Sequence, residues 1–290
     1  MVGVRIGIGL PNHVEGADGA TLLAVARRAE DLGFASVYAN DRLVWTNHEP
    51  LTLLAAVAGA TTRIHLTGVL VAPLRTDHAL LASAAASVDS LAGAGRLTLA
   101  LAPGVRAEDF ERAGVPFAGR GAALDALLRE LRHCWGPDGD VGPRPATPGG
   151  PALLLAGTSA PTLRRIVTHG RGWLANPGLA RFEDFSAVLR VRWRQEGRDG
   201  EPFRGVVVPF ALGAEAVTTM ERTQRAFFAT TPEHAGPVIA GTATSASAVR
   251  DVVHAYARAG ADELVLQAQH PDPGQVDRVA EALDAVSVGA

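Results

Sequence analysis

Short apolar runs alternate with amphipathic stretches along the chain, and the alternation repeats eight times. The runs occupy residues 4–10 (VRIGIGL), 35–41 (ASVYAND), 63–72 (RIHLTGVLVA), 96–102 (RLTLALA), 152–157 (ALLLAG), 172–176 (GWLAN), 205–212 (GVVVPFAL) and 262–269 (DELVLQAQ). An apolar run of this length reads as a buried strand. The stretches behind them, such as TLLAVARRAEDLG closed by Gly33 and LTLLAAVAGA opened by Pro50, read as helices. Two segments break the rhythm: a Pro- and Gly-rich loop at 136–150, after the helix of the fourth unit, and a longer, less regular stretch after the seventh strand.

Eight strand–helix units match a (β/α)₈ TIM barrel, an α/β fold of about 250 residues. The expectation is one domain over residues 1–290, with insertions after the fourth helix and the seventh strand. A doubly wound open sheet shares the same local pattern, because periodicity does not report ring closure. Both arrangements place ligands at the carboxyl ends of the strands. The site is therefore expected in the loops after residues 10, 41, 72, 102, 157, 176, 212 and 269.

Composition narrows the chemistry. Hydrophobic residues make up 47% and charged residues 20%, a balance that permits a large core and argues against disorder. The net charge of −3 gives no basic excess for nucleic acid. All 27 basic residues are arginine, which excludes Schiff-base lysine chemistry and the lysine of a phosphate-binding GxxxxGK loop. With Cys134 as the lone cysteine, an internal disulfide and a thiolate metal cluster are excluded. No apolar run reaches the roughly 18 residues of a membrane span. The first strand begins close to Met1, and a cytoplasmic protein without a signal peptide is expected.

The strand-end loops carry the candidate residues. The first offers Asn12 and His13, and the second Asn40, Asp41, Arg42 and Trp45. The third has Arg75, Asp77 and His78, and in the fourth Gly104 permits close backbone approach beside Arg106. The fifth is AGTSAPTLRR, where Gly157, Thr158 and Ser159 precede a helix whose first turn lacks an acid. Free N–H groups at a helix start serve a side-chain cap or a bound anion, and the residues alone leave both open. No spacing resembles a metal site, and Ser159 has no base beside it for a hydrolase triad. Loops with anion grip but little acid–base machinery suit a cofactor that carries the chemistry.

Several stretches, in this order, resemble the luciferase-like monooxygenase superfamily of flavin- and deazaflavin-dependent oxidoreductases. They are ARRAEDLGFASVYANDRL, PLTLLAAVAGATTRIHLTGVLVAPLR, SVDSLAGAGRLTLALAPG, EDFERAGVPFAGRG, GTSAPTLRR with GRGWLANP, and AYARAGADELVLQ. The resemblance implies a TIM barrel that uses reduced FMN or the deazaflavin coenzyme F-420. It implies that Gly157, Thr158 and Ser159 hold the cofactor phosphate. Gly68 and Val69 would back the ring system, across a non-proline cis bond in some members, and Gly104 would let the fourth loop approach. Asp41 and Arg106 complete the expected cofactor-binding set.

The chain also departs from the family pattern. Asp41–Arg42 stands where many deazaflavin-using relatives have Asp-His, and LAPGVR stands where some have GxGxGE. AGTS replaces two successive glycines. The leading expectation is a two-component monooxygenase that takes reduced FMN from a separate flavin reductase, uses O₂, and acts on a small, mostly apolar substrate. His13, Arg42 and His78 are its expected catalytic residues, with His48 a further proton carrier. A homodimer is expected, with no nucleic-acid or membrane partner. The alternatives are hydride transfer with F-420, or a barrel that has lost flavin redox chemistry.

Overall fold

All eight expected strands form, each pairs in parallel with the next, and the last returns to the first. They are β1 (Arg5–Gly9), β2 (Ser36–Ala39), β3 (His65–Val71), β4 (Leu97–Ala102), β5 (Ala152–Leu155), β6 (Gly172–Ala175), β7 (Phe203–Phe210) and β8 (Glu263–Ala268). This computed structural model describes residues 3–176 and 178–284; Pro177, at the end of the GRGWLANP stretch, lies outside them. β1 and β8 pair from Arg5 against Glu263 to Gly9 against Gln267, so the ring is closed and the open-sheet alternative is excluded.

Outside the ring run α1 (Gly19–Asp31), α2 (Pro50–Ala60), α3 (His78–Ala92), α4 (Ala107–Ala113), α5 (Arg120–Trp135), α6 (Ala160–His169), α7 (Leu179–Gln195), α8 (Ala214–Phe227), α9 (Ala235–Ala240), α10 (Ala246–Arg258) and α11 (Gly274–Asp284). Their starts are specified locally. Asp18, Asp77, Ser159 and Ser245 each accept a hydrogen bond from the backbone three residues on. Both expected insertions are present, but the stretch after β7 is more ordered than its sequence suggests, since it contains α8 and α9. Among the described residues no helix is long and apolar enough to cross a membrane.

Alternation along each strand divides the apolar residues into two sets. Ile8, Val37, Leu66, Leu99, Trp173 and Leu264 face outward into one core with the helices. Tyr38, Ala100, Leu154, Leu174, Val207 and Val265 face inward and form an apolar plug across the middle of the lumen. β1 contributes little volume to the lumen, because Gly7 and Gly9 face inward. Ser36 Oγ therefore reaches across β1 and donates to Glu263 Oε1 at 2.7 Å. A Cβ on Gly7 would lie 2.1 Å from that hydroxyl, and one on Gly9 would lie 2.3 Å from Gln267 Oε1.

One expectation about the backbone is corrected. Among the described residues the only cis peptide bond is Gly142–Pro143, so Gly68–Val69 is trans. Gly68 pairs with Ala39 and Leu99, and Val69 with Ala100, in an unbroken ladder that a trans bond maintains.

Gly7→Ala is expected to cost about 1–3 kcal/mol through overpacking in the lumen. Gly3, whose Cβ would meet nothing within 4 Å, is the control, and Gly3→Ala is expected to stay within about 0.5 kcal/mol. Urea titration of both variants measures the contrast; equal midpoints would refute the crossing bond's role.

Candidate functional site

Above the plug, at the carboxyl ends of the strands, the barrel opens into a cavity of about 660 Å³. Tyr38, Leu174 and Val207 form its floor. Asn40, Val69, Ala156, Asn176, Gln267 and Gln269 line the walls from strand ends, with His13 from the first loop. Phe227, Phe228, His234 and Val238, all from the insertion after β7, supply the roof. Among the described residues no aspartate or glutamate lines this space.

Buried amides hold His13 in a defined state. Its Nε2 lies 3.2 Å from Gln269 Oε1, which also accepts from Gln224 Nε2 on the roof helix α8. A carbonyl oxygen only accepts, so Nε2 carries the hydrogen and Nδ1 carries the lone pair. Burial pushes the His13 pKa down to about 4, and the Gln269 bond opposes this in part. The ring is therefore neutral near pH 7, an acceptor at Nδ1 and a poor acid. Nδ1 is buried and has no partner among the described residues, and the same holds for Gln267 Oε1. Gln267 spends its amide hydrogen on Leu10 O at 2.6 Å. Two unfilled, fully buried acceptors thus belong to residues that line one cavity.

A second polar corner lies at the start of α6. Gly157 adopts φ +112°, and its carbonyl accepts from Trp173 Nε1 at 2.8 Å. Gly157 and Thr158 line the cavity, whereas Ser159 is exposed and its hydroxyl caps α6 through Thr162 N at 3.3 Å. The first turn of α6 carries no acid. Arg165, at the end of the AGTSAPTLRR stretch, pairs with Asp125 at 2.6 Å. The positive charge at this corner comes instead from Arg181 of α7, which donates to Thr158 O and Oγ1, both at 3.2 Å. Ser159 therefore caps the helix, while the residues before it stand beside a cation and an uncompensated helix start, a combination that suits an anion.

Most of the remaining expected site residues lie outside the cavity lining. Asp41 accepts from Val71 N at 2.7 Å and from Arg75, tying the second loop to the third. Arg42 is buried and does not line the cavity: Nη2 donates to Glu108 Oε1 at 3.0 Å, and Nη1 donates to the carbonyl of Phe227. Its guanidinium packs against the Phe227 ring at 4.5 Å, and that of Arg106 packs against the same ring at 4.4 Å. Burial, with Arg42 next in order, lowers the Arg106 pKa to about 10. Both arginines thus brace the roof from behind. His78 opens α3 and lies outside the cavity lining, as does His48. Gly68 faces the helices, where a Cβ would lie 3.0 Å from Leu54 Cδ1, while Val69 faces the cavity. Gly104, at φ +79°, has room for no side chain, since a Cβ would lie 2.7 Å from Val71 Cγ1; its neighbour Val105 reaches the cavity.

Arg181, Gln224, Gln267, Gln269 and the two roof phenylalanines were not singled out by sequence reasoning. The glutamines carried one available signal: two amides, Gln267 and Gln269, sit at alternate positions where the eighth apolar run ends, so both point into the lumen.

Comparison with known proteins agrees with this architecture. An uncharacterized protein of Mycobacterium tuberculosis is 26% identical over 220 residues, covering 63% of this chain and 77% of that one. A second from the same organism is 31% identical over 166 residues, covering 53% and 57%. Among solved structures, a monooxygenase from Streptomyces bottropensis superposes with a TM-score of 0.76 at 17% identity, over 98% of this chain and 100% of that one. A coenzyme F-420-dependent secondary alcohol dehydrogenase gives 0.79 at 16% identity, over 98% and 99%. The model of the luciferase-like monooxygenases matches residues 4–289, and the chain therefore belongs to this family of oxidoreductases.

Proposed function

We propose that the chain is a two-component flavin-dependent monooxygenase that binds reduced FMN in the upper cavity and oxidises a small, mostly apolar substrate. The observation that carries this reading is the cavity's chemistry: an apolar floor, a largely aromatic roof, walls of neutral amides with no carboxyl group among the described residues, and a buried histidine held neutral. Bound reduced FMN would supply two electrons to O₂, with one oxygen atom going to the substrate and the other leaving as water. The protein's share of the work is then to bind, orient and exclude water. Hydride transfer with F-420 is the competing reading, and it needs an acid that His13 is poorly placed to be.

The residues fit such a cofactor. About 660 Å³ lies within the usual range of roughly 300–1,000 Å³ for small-molecule sites. Thr158, the start of α6 and Arg181 would take the phosphate, and His13, Gln267 and Gln269 would flank the ring system or the substrate. Phe227 and Phe228 would close the chamber over the bound pair. Arg42 and Arg106, expected above as a catalytic and a cofactor-binding residue, act in this reading by holding Phe227. A separate reductase would deliver the reduced FMN in the cytoplasm. The exposed Leu80 and Leu91 on α3 mark the face proposed for a homodimer.

Anaerobic titration of the pure protein with reduced FMN and with reduced F-420 tests the assignment. Saturable binding of reduced FMN is expected, whereas turnover with F-420 alone, without oxygen, would overturn it. Thr158→Ala combined with Arg181→Gln is expected to weaken FMN about tenfold, since hydrogen bonds to charged groups contribute about 1.5–3 kcal/mol. Riboflavin, which lacks the phosphate, should bind the variant and the parent alike.

The state of His13 has its own test. The folded pKa near 4 lies below the ordinary 6.5, so the unfolded chain binds the proton more readily. The stability contributed by neutral His13 is full above pH 6.5 and is lost as the pH falls toward 4, by up to about 3 kcal/mol. Chemical denaturation between pH 7.5 and 4.5 should show a shallower decline for His13→Asn than for the parent; parallel curves would contradict the assigned state.

A further inference from the structure

A second enclosed space lies below the plug, at the amino-terminal ends of the strands, on the face opposite the flavin-sized cavity. It measures about 210 Å³, about seven water-sized volumes. Leu154 and Leu174 form its apolar floor, and Leu174 is the wall shared with the upper cavity. His65, Thr98, Glu263 and Phe203 form the sides, and Arg5 and Arg171 stand at the mouth.

Its charges do not cancel. Glu263 is nearly buried and both oxygens are engaged: Oε1 accepts from Ser36 Oγ at 2.7 Å, and Oε2 pairs with Arg5 Nη2 at 3.1 Å. His65 lies 2.8 Å from Thr98 Oγ1. Burial first, then the fields of Arg5, Arg171 and Arg96, hold its pKa at about 4, so at neutral pH it adds no charge. Arg171 is held at the rim by its backbone, which donates to Leu153 O at 2.7 Å and accepts from Phe203 N at 3.1 Å. Its guanidinium has no hydrogen-bond or ion-pair partner among the described residues. Two arginines and one carboxylate thus line a chamber with an apolar floor.

We propose that this basal chamber binds a small organic carboxylate, with the carboxylate on Arg171 and a short alkyl or aryl tail against Phe203, Leu154 and Leu174. The guanidinium fork matches a carboxylate in plane. The volume admits a tail of roughly four to six carbons, on the same water-volume measure. The site is separate from the oxidation chemistry, since the plug lies between the two chambers and no charged residue lines both.

Calorimetric titration of the full chain with hexanoate, benzoate and inorganic phosphate is the test. Hexanoate or benzoate should bind at one site per chain, more weakly as salt rises. Arg171→Gln should reduce that affinity about tenfold or more, the loss expected for one charge-assisted contact. Ala152→Leu, which places bulk in the chamber, should abolish binding. Because Arg171 is exposed, its variant should keep the parent's melting midpoint, which verifies the fold independently of any ligand. The proposal fails if neither carboxylate saturates, if Arg171→Gln binds like the parent, or if inorganic phosphate binds as tightly as hexanoate.

Discussion

Closure of the ring by β1 and β8 governs what the lumen can contain. A closed eight-stranded barrel has a fixed interior, so the volume one strand leaves is taken by its neighbours. β1 leaves most of it, presenting Gly7 and Gly9 inward between β2 and β8. Ser36 and Glu263 meet across the first of these glycines, and Gln267 lies over the second. The polar groups below the plug and those above it are therefore both placed by the same short, nearly bare strand.

The upper cavity depends on a second arrangement, in which cations support an apolar roof. Arg42 and Arg106 both lie against Phe227, and Glu108 receives Arg42 at 3.0 Å and Thr230 at 2.6 Å. Arginine suits this position because its planar, weakly hydrated cation stacks on rings without demanding full solvation. The same roof reaches the lumen on its inner side, where Gln224 shares Gln269 with His13. Roof position and histidine state are thus coupled through one amide oxygen.

Much of the frame was legible in the chain, because buried parallel strands are written as continuous apolar runs and cap residues act locally. Closure was not, since it joins residues more than 250 positions apart, Arg5 to Glu263. The roof helix α8 was missed for a related reason: its buried face includes Thr223 and Gln224, which interrupt the apolar stripe that marks a helix. Arg42 and Arg106 read as chemistry because a charge at a strand's carboxyl end is conspicuous. Their partner Phe227 is 185 residues from Arg42 and leaves no mark near it. Thr158 stands out in its loop, but the arginine that donates to it belongs to the next strand–helix unit and is brought there only by the fold.

The roof also separates two kinds of inheritance. Phe227, Phe228, His234 and Val238 all come from the segment between β7 and α10, whereas Thr158, Val69, His13 and both lumen glutamines come from the barrel proper or its first loop. A change at Phe228, His234 or Val238 reshapes what fits above the floor and leaves the bonds of the strand-borne amides in place, whereas one at Gln224 reaches Gln269 and His13 as well. The ceiling can therefore drift among descendants of this barrel while the floor stays the same, so a new molecular fit requires no new enzyme underneath.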